Sequence, residues 1–448
     1  MAHSFTKPSG SARKAGESWH DRSMQNVMPN RRHVVAGLAG LAAFAPSLAR
    51  AEVVPLTPDG NQTQALQSAL LANASGRISL PPGRFVVYGL SIPGNVVIEG
   101  VPGATWLIAA GSAVGTISGQ SNVVLRDIGF VGDSGSEALL GIEAAQGVVL
   151  ERCSFRESPG VALGIHSAAV TVRDCDFLGH GDAAIHAMDS RGLVITGNRI
   201  AKCGNAGVRV WRSVEGPDGS IIVNNRISEI DWRGGGNGQN GNGINVFRAD
   251  EVIVADNHIS DCAFTAVRLN TTKNTQISGN VCRDCGEVAI FSEFAFSGSV
   301  VANNVVDGAA TGISITNLDS GGQIAVCTGN IVRNITPKSA VNPDTIPIGI
   351  FIEAETTVTG NVVANVPGAG IAAGWGPFLR NVVVSSNVVS DCTIGIGVSV
   401  VEDAGAAMLS ANQVSGSYQH AIAGMRWTEV IEPDLLANVG RYPHVTLG

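Results

Sequence analysis

An asparagine returns along this chain at intervals of 23 to 32 residues, at Asn198, Asn225, Asn257, Asn280, Asn304, Asn330, Asn361, Asn387 and Asn412. Short β-patterned runs lie between these positions, as in Ala266-Val267-Arg268-Leu269 and Gln276-Ile277-Ser278 between Asn257 and Asn280. Two earlier units carry Cys153 and Cys175 in the same slot, and Ile128 and Val101 read as earlier occupants still. A period of this length, built from two or three strands with no helical pattern inside, predicts an all-β parallel solenoid. One repeat cannot bury its own apolar face. Stacked repeats can, each coil lying ~4.8 Å above the last, and the repeats supply about 13 of them. Stacking also gives the asparagines a structural role, because identical amides at one turn pair along the axis and satisfy groups that a buried turn leaves open.

The N-terminal 51 residues read differently. Arg31-Arg32 precedes a weakly apolar run from Val34 to Leu48, and Ala49-Arg50-Ala51 follows as an A-x-A cleavage site. That order is an export signal of the twin-arginine type, with the twin-arginine translocase as a transient partner and a periplasmic or secreted product. The run is too short and too rich in Gly and Ala to serve as a membrane anchor. Removing this leader takes the net charge from −8 to −13, since it holds seven basic and two acidic residues. So acidic a chain has no general attraction for nucleic acid, and any polyanion must be met locally.

Residues 52–448 are expected to form one β-helix domain, with coils over about 78–426 and a closing cap at 427–448. The one amphipathic helix, over about 63–72, places Ala65, Leu66, Ala69 and Leu70 on one face and would plug the open first coil, whose edge would otherwise recruit other chains. After it comes Leu80-Pro-Pro-Gly-Arg-Phe85. Leu66-Gln-Ser-Ala69 on this helix, ahead of that L-P-P-G-x-F run, resembles the D-x-x-x-x-L-Q-x-A and L-P-P-G-x-Y/F entry cap of right-handed parallel β-helices of the pectin-lyase-like superfamily, with Asp59 two residues further from the leucine than in that pattern. Together with the twin arginines and the repeats, the chain looks most like the twin-arginine-translocated repeat proteins, a family with no assigned activity. The resemblance implies a single-stranded right-handed β-helix. For chemistry it implies lyases, hydrolases, epimerases or non-catalytic members alike.

The eight cysteines sit in slots otherwise held by apolar residues or Asn, so they read as buried thiols, with a bridge between consecutive-coil pairs such as Cys262 and Cys285 left open. No cofactor is expected, and Cys282-Arg-Asp-Cys285, a lone C-x-x-C, makes no metal site.

Chemistry is expected on the strand that follows each turn. Alternation sends its Ile and Val inward and the residues between them outward. The first outward column then reads Glu143, His166, His186, Arg209, Asn245, Arg268, Phe291, Ser314 and Phe351, and the second Met188, Trp211, Phe247, Asn270, Glu293, Thr316 and Glu353. The two largest insertions, 231–242 and 336–347, enter just before this strand four coils apart, and would wall a trough of ~19 Å with Arg268, Asn270, Glu293 and Thr316 on its floor. Such a trough suits a polysaccharide, acidic or otherwise: Trp211 and Phe247 stack on pyranose faces, Arg209 and Arg268 hold carboxylates or sulfates, and His166, Asn245, Asn270 and Thr316 add polar contacts. Two catalytic readings compete. In a lyase or epimerase, Arg209 and Arg268 neutralise a uronate while His186 takes the α-proton. In a glycosidase, Glu293 and Glu353, two coils and ~9.5 Å apart, act as acid and base. The rival is a non-catalytic rod or adhesin of the envelope. Gly179-His180-Gly181 lacks the aspartates that accompany G-H-G in polygalacturonases.

Overall fold

The computed structural model describes residues 52–54, 56, 60–73, 76–133, 137–236 and 238–448. The export segment, with Arg31 and Arg32, lies outside them. The described chain winds into a parallel β-solenoid of about 14 turns, against the expected 13 or so. Each coil carries up to three strands, and the faces are numbered here in the order the chain visits them. The first face, for example Val194–Thr196, stacks into a 16-stranded sheet running from Glu52–Val53 to Val445–Leu447. The second, for example Arg199–Cys203, and the third, for example Ala206–Pro217, share the other sheet, which bends between them. Strands pair in parallel from coil to coil, and the hairpin of His420–Arg426 with Glu429–Glu432 is antiparallel and closes the C-terminal end.

The turn between the first and second faces explains the asparagines. The residue just before the slot adopts positive φ, +69° at both Gly197 and Gly279 and +66° at Gly329, a conformation that glycine enters without steric cost. The chain bends from one face to the next in that tight corner, and the asparagine side chain is buried inside it. Asn257 Nδ2 donates to Asn280 Oδ1 at 3.0 Å, Asn280 to Asn304 at 3.0 Å, and Asn304 to Asn330 at 3.0 Å. The same oxygens accept the backbone N–H of the coil below, and the same nitrogens donate to a first-face carbonyl, as Asn280 does to Val254 O. Every donor and acceptor of the buried amide thus has a partner. The series runs from Asn198 to Asn412. Below it, Asn198 Oδ1 accepts from Cys175 N, and Cys175 Sγ in turn accepts from Cys153 N. At the coil of Val101, that residue is exposed and Thr105 Oγ1 accepts its N–H instead.

Inward residues fill one continuous core in which aromatic rings stack from coil to coil, Phe130 on Phe155 at 4.8 Å and Phe155 on Phe177 at 4.7 Å. The column continues as Ile200 on the next coil, and His180 packs edge-on against Phe177 at 6.3 Å. It is fully buried beside Ser158, and burial pushes its pKa down to about 4, so the G-H-G histidine is a neutral core group. All eight cysteines are free and buried. Helix Thr63–Ala72 buries Leu66 and Leu70 against the first coils, as expected, whereas Ala65 is exposed. At the far end Leu435 is buried and Glu432 accepts from Arg441 and Asn438.

Replacing one mid-ladder amide strands the backbone and side-chain N–H groups of the asparagine below it and takes a donor from the Oδ1 of the one above. Asn280→Ala is expected to cost roughly 2–5 kcal/mol, seen as a lowered denaturation midpoint, and Asn412→Ala, at the end of the series, clearly less.

Candidate functional site

The third-face registers decide which side chains meet. His186, Arg209, Asn245, Arg268, Phe291, Ser314 and Phe351 form one outward column. Met188, Trp211, Phe247, Asn270 and Glu293 form the next. Glu143 and His166 were expected in the first column and lie in the second: Glu143 pairs with His166 and His166 with Met188, while His186 pairs with Gly164. Aligning G-I-H with A-I-H slips the strand by two residues, which keeps the face and changes the neighbours. His166 therefore stands exposed three coils below Phe247, apart from the residues described next.

Outward does not mean exposed here. Arg209, Asn245, Arg268, Glu293, Thr316 and Glu353 are all buried. The insertion at 231–242 folds over this sheet and covers the first column. Gly238 lies against Arg268 at φ +148°, where an added Cβ would meet the guanidinium at 2.6 Å. Its carbonyl accepts from Asn245 Nδ2 at 3.1 Å and from Asn242 Nδ2 at 2.8 Å. Asn240 Oδ1 accepts from Arg209 Nη2 at 2.8 Å, and Arg209 Nη1 reaches Asp182 at 2.9 Å.

Arg268 is the hub. Its Nε and Nη2 bind both oxygens of Glu293 at 2.7 and 2.8 Å, and Nη1 binds Glu287 at 3.0 Å. Glu287 also accepts from Thr265 at 3.0 Å and from Asn342 of the second insertion at 2.8 Å, and Glu293 accepts from Asn270 at 2.9 Å. One guanidinium faces two carboxylates, so the cluster carries a net negative charge. The expectation that Arg268 neutralises a substrate carboxylate meets a guanidinium already engaged by two carboxylates of its own chain, and Arg209 is likewise paired with Asp182.

Beside this clamp opens a pocket of about 310 Å3, lined by Trp211, Phe247, Asn245, Arg268, Asn270 and Glu293 together with Gly238, Gln239 and Phe294. Six expected site residues thus converge. Trp211 and Phe247 are half-buried and meet edge to face at 6.2 Å, and Trp211 is fixed from behind by Nε1 donating to Asn245 Oδ1 at 3.0 Å. The expected trough between the two insertions also exists, with about 780 Å3 between Asp231 and Arg233 on one side and Thr336, Lys338 and Val341 on the other. Its floor is Ala263 and Gly286, not the Arg268 cluster, and it shares no lining residue with the pocket. The second insertion leans down two coils, Ser339 Oγ donating to Gly286 O at 2.5 Å, which narrows the gap.

The remaining expected residues lie outside the pocket. His186 packs on Trp211 at 5.2 Å, and burial, reinforced by Arg209, lowers its pKa and keeps the ring neutral. Thr316 bonds with Ser314 at 3.0 Å. Glu353 is sealed under the turn 317–321, where Leu318 N donates to its carboxylate at 2.7 Å, yet burial still raises its pKa to about 7. Glu287, Asp182, Gly238, Asn240 and Asn342 escaped the sequence reading. Asp182 sits just before its strand, Glu287 at the irregularity between Cys285 and Val288, and the others inside insertions, where no period announces a position.

A right-handed β-helix family model matches residues 116–238, 160–334 and 213–381, together more than half of the chain, and the protein belongs to that family of right-handed parallel β-helices. No curated protein sequence matches the chain. Among solved structures, the N-terminal fragment of gene product 12 of bacteriophage phi29 is 13% identical, covering 84% of this chain and 72% of its own, with a TM-score of 0.57. A mannuronic acid-specific family 6 polysaccharide lyase from human gut microbiota is 12% identical over 85% of this chain and 91% of its own, at 0.52. The mannuronan C-5 epimerase A-module of Azotobacter vinelandii is 15% identical over 89% and 100%, at 0.48. At such identities the likeness concerns the fold.

Two outcomes follow from the buried charges. Arg268→Ala leaves two carboxylates buried without their cation and is expected to cost roughly 3–5 kcal/mol in denaturation experiments. Glu353 holds in the folded state a proton that the unfolded chain releases near pH 4.5, so its contribution to stability is complete below that pH and is lost as pH rises through 7. Glu353→Gln is therefore expected to gain roughly 3 kcal/mol over the parent at about pH 8 and nothing at about pH 4, measured as the pH dependence of unfolding.

Proposed function

We propose that the protein binds a neutral stretch of a cell-envelope or extracellular polysaccharide, seating one sugar unit in the pocket between Trp211 and Phe247. The observation that carries this reading is the pocket's composition. Two aromatic rings form the wall and Asn270, Glu293 and Gln239 offer hydrogen bonds, in a volume suited to a ring-sized ligand. The charge of the Arg268 cluster argues for hydroxyl groups over a uronate, because an incoming carboxylate would face Glu293 and Glu287 as well as the guanidinium. Binding is what this geometry supports best. A proton-abstracting role for His186, or an acid/base pair of Glu293 and Glu353, would place those groups beyond the pocket or require Arg268 to release Glu293. Solved β-helices of similar fold include a lyase specific for mannuronic acid, which supports a carbohydrate as the ligand class.

The export reading belongs to the same proposal. Arg31-Arg32, the weakly apolar run and the A-x-A site support passage through the twin-arginine translocase to a periplasmic or secreted location, and the resemblance to twin-arginine-translocated repeat proteins agrees with it.

A glycan array with the purified protein tests the site. Neutral oligosaccharides are expected to bind with little dependence on salt, and Trp211→Ala to weaken them about tenfold or more. Binding that Trp211→Ala leaves unchanged would place the ligand elsewhere.

A further inference from the structure

On its outer surfaces this protein pairs arginines with carboxylates one coil away. Arg126 meets Glu151, Arg152 meets Asp127, Arg156 meets Asp176, Arg333 meets Asp307 and Arg380 meets Glu355. The second face breaks this habit at one place. Arg199 and Arg226 lie directly opposite each other on consecutive coils, and His258 stands opposite Arg226 on the next. All three are exposed, and neither guanidinium has an ion-pair or hydrogen-bond partner among the described residues. Asp176, on the coil below Arg199, is engaged by Arg156.

Like charges directly opposite on neighbouring strands destabilise a sheet. The fold does not require arginine here, because the same column continues as Val281, Val305 and Ile331. Nor does general charge explain it, since the chain is acidic overall, with a net charge of −8. The arginines line a surface groove of about 470 Å3 together with Arg283, Ser228, Ser260 and His258, and the one carboxylate on its wall, Asp176, is the one that Arg156 engages. Arg283 makes only an exposed contact with its neighbour Asp284, at 3.3 Å. Cationic heads thus repeat along the axis at the coil spacing of ~4.8 Å, with hydroxyl groups in the adjacent column.

We propose that this groove is a second carbohydrate site, on a different face from the Trp211 pocket, and that it takes an anionic polysaccharide whose carboxylates or sulfates pair with Arg199 and Arg226. A planar guanidinium with a free edge suits either anion. A linear polymer laid along the axis meets successive coils with successive charges. Nucleic acid fits less well: no Trp, Tyr or Phe lines the groove to stack successive bases, and the acidic chain lacks the long-range field that gathers nucleic acid. The proposal does not depend on what the Trp211 pocket holds.

The test measures binding of the purified protein to polygalacturonate, which carries carboxylates, and to dextran sulfate, with neutral pullulan and single-stranded DNA of matched length alongside. At low salt one or both anionic glycans are expected to bind more tightly than DNA, and to be released as salt reaches about 0.5 M. The double variant Arg199→Ser/Arg226→Ser is expected to weaken that binding about tenfold or more, and to melt at the same or a higher temperature because a like-charge contact is gone. Whichever glycan loses affinity in the variant identifies the anion. Four results would overturn the proposal: no anionic glycan retained at low salt, unchanged affinity in the double variant, DNA held as tightly through the same arginines, or a lowered melting temperature showing that the arginines serve the fold.

Discussion

The hydrogen bond from one buried asparagine amide to the next is the interaction on which the rest of this structure depends. Backbone pairing alone allows a parallel strand to slide along its neighbour at modest cost, whereas an amide that must accept from the coil below and donate to the coil above has one satisfactory position. Each asparagine from Asn198 to Asn387 has that arrangement. It pins the corner between the first and second faces. Insertions of different length can then leave the coil elsewhere without disturbing the register, and residues some 25 positions apart become neighbours.

A second consequence is electrostatic. Once the register is set, Arg268 and Glu293 stand on adjacent coils and the first insertion closes over them, so their attraction acts away from water and a missing partner becomes costly. Glu287 enters the same cluster from the strand's beginning and is held by Asn342 of the second insertion. Through this one guanidinium the two insertions and the pocket floor share a single set of contacts. The surplus of carboxylate there and the surplus of guanidinium at Arg199 and Arg226 put opposite charge on two faces of one coil stack, which is the basis for proposing a hydroxyl-rich ligand on one and an anion on the other.

Much of this was readable from the sequence. The asparagine spacing carries the fold, the capping helix announces itself by its apolar face, and alternation brings Trp211, Phe247, Asn270 and Glu293 into one column. What escaped reading has physical causes. Glu143 and His166 were misplaced because a slip of two residues leaves the alternation intact and only coordinates distinguish the neighbours. Arg268 and Arg209 looked available because their partners, Glu287, Asp182 and Asn240, lie in stretches without a period. The trough was expected above Arg268 because entry points show where an insertion starts and not where it leans. Ser339 and Asn342 reach back more than fifty residues in sequence, and no local pattern predicts such contacts.

The most direct measurement of this account is a crystal structure of the protein soaked with a neutral oligosaccharide. The account predicts sugar density between Trp211 and Phe247, hydrogen-bonded to Asn270, with Arg268 still clasping Glu293. Density confined to the cleft between the two insertions, or an Arg268 that leaves Glu293 to meet the ligand, would contradict it.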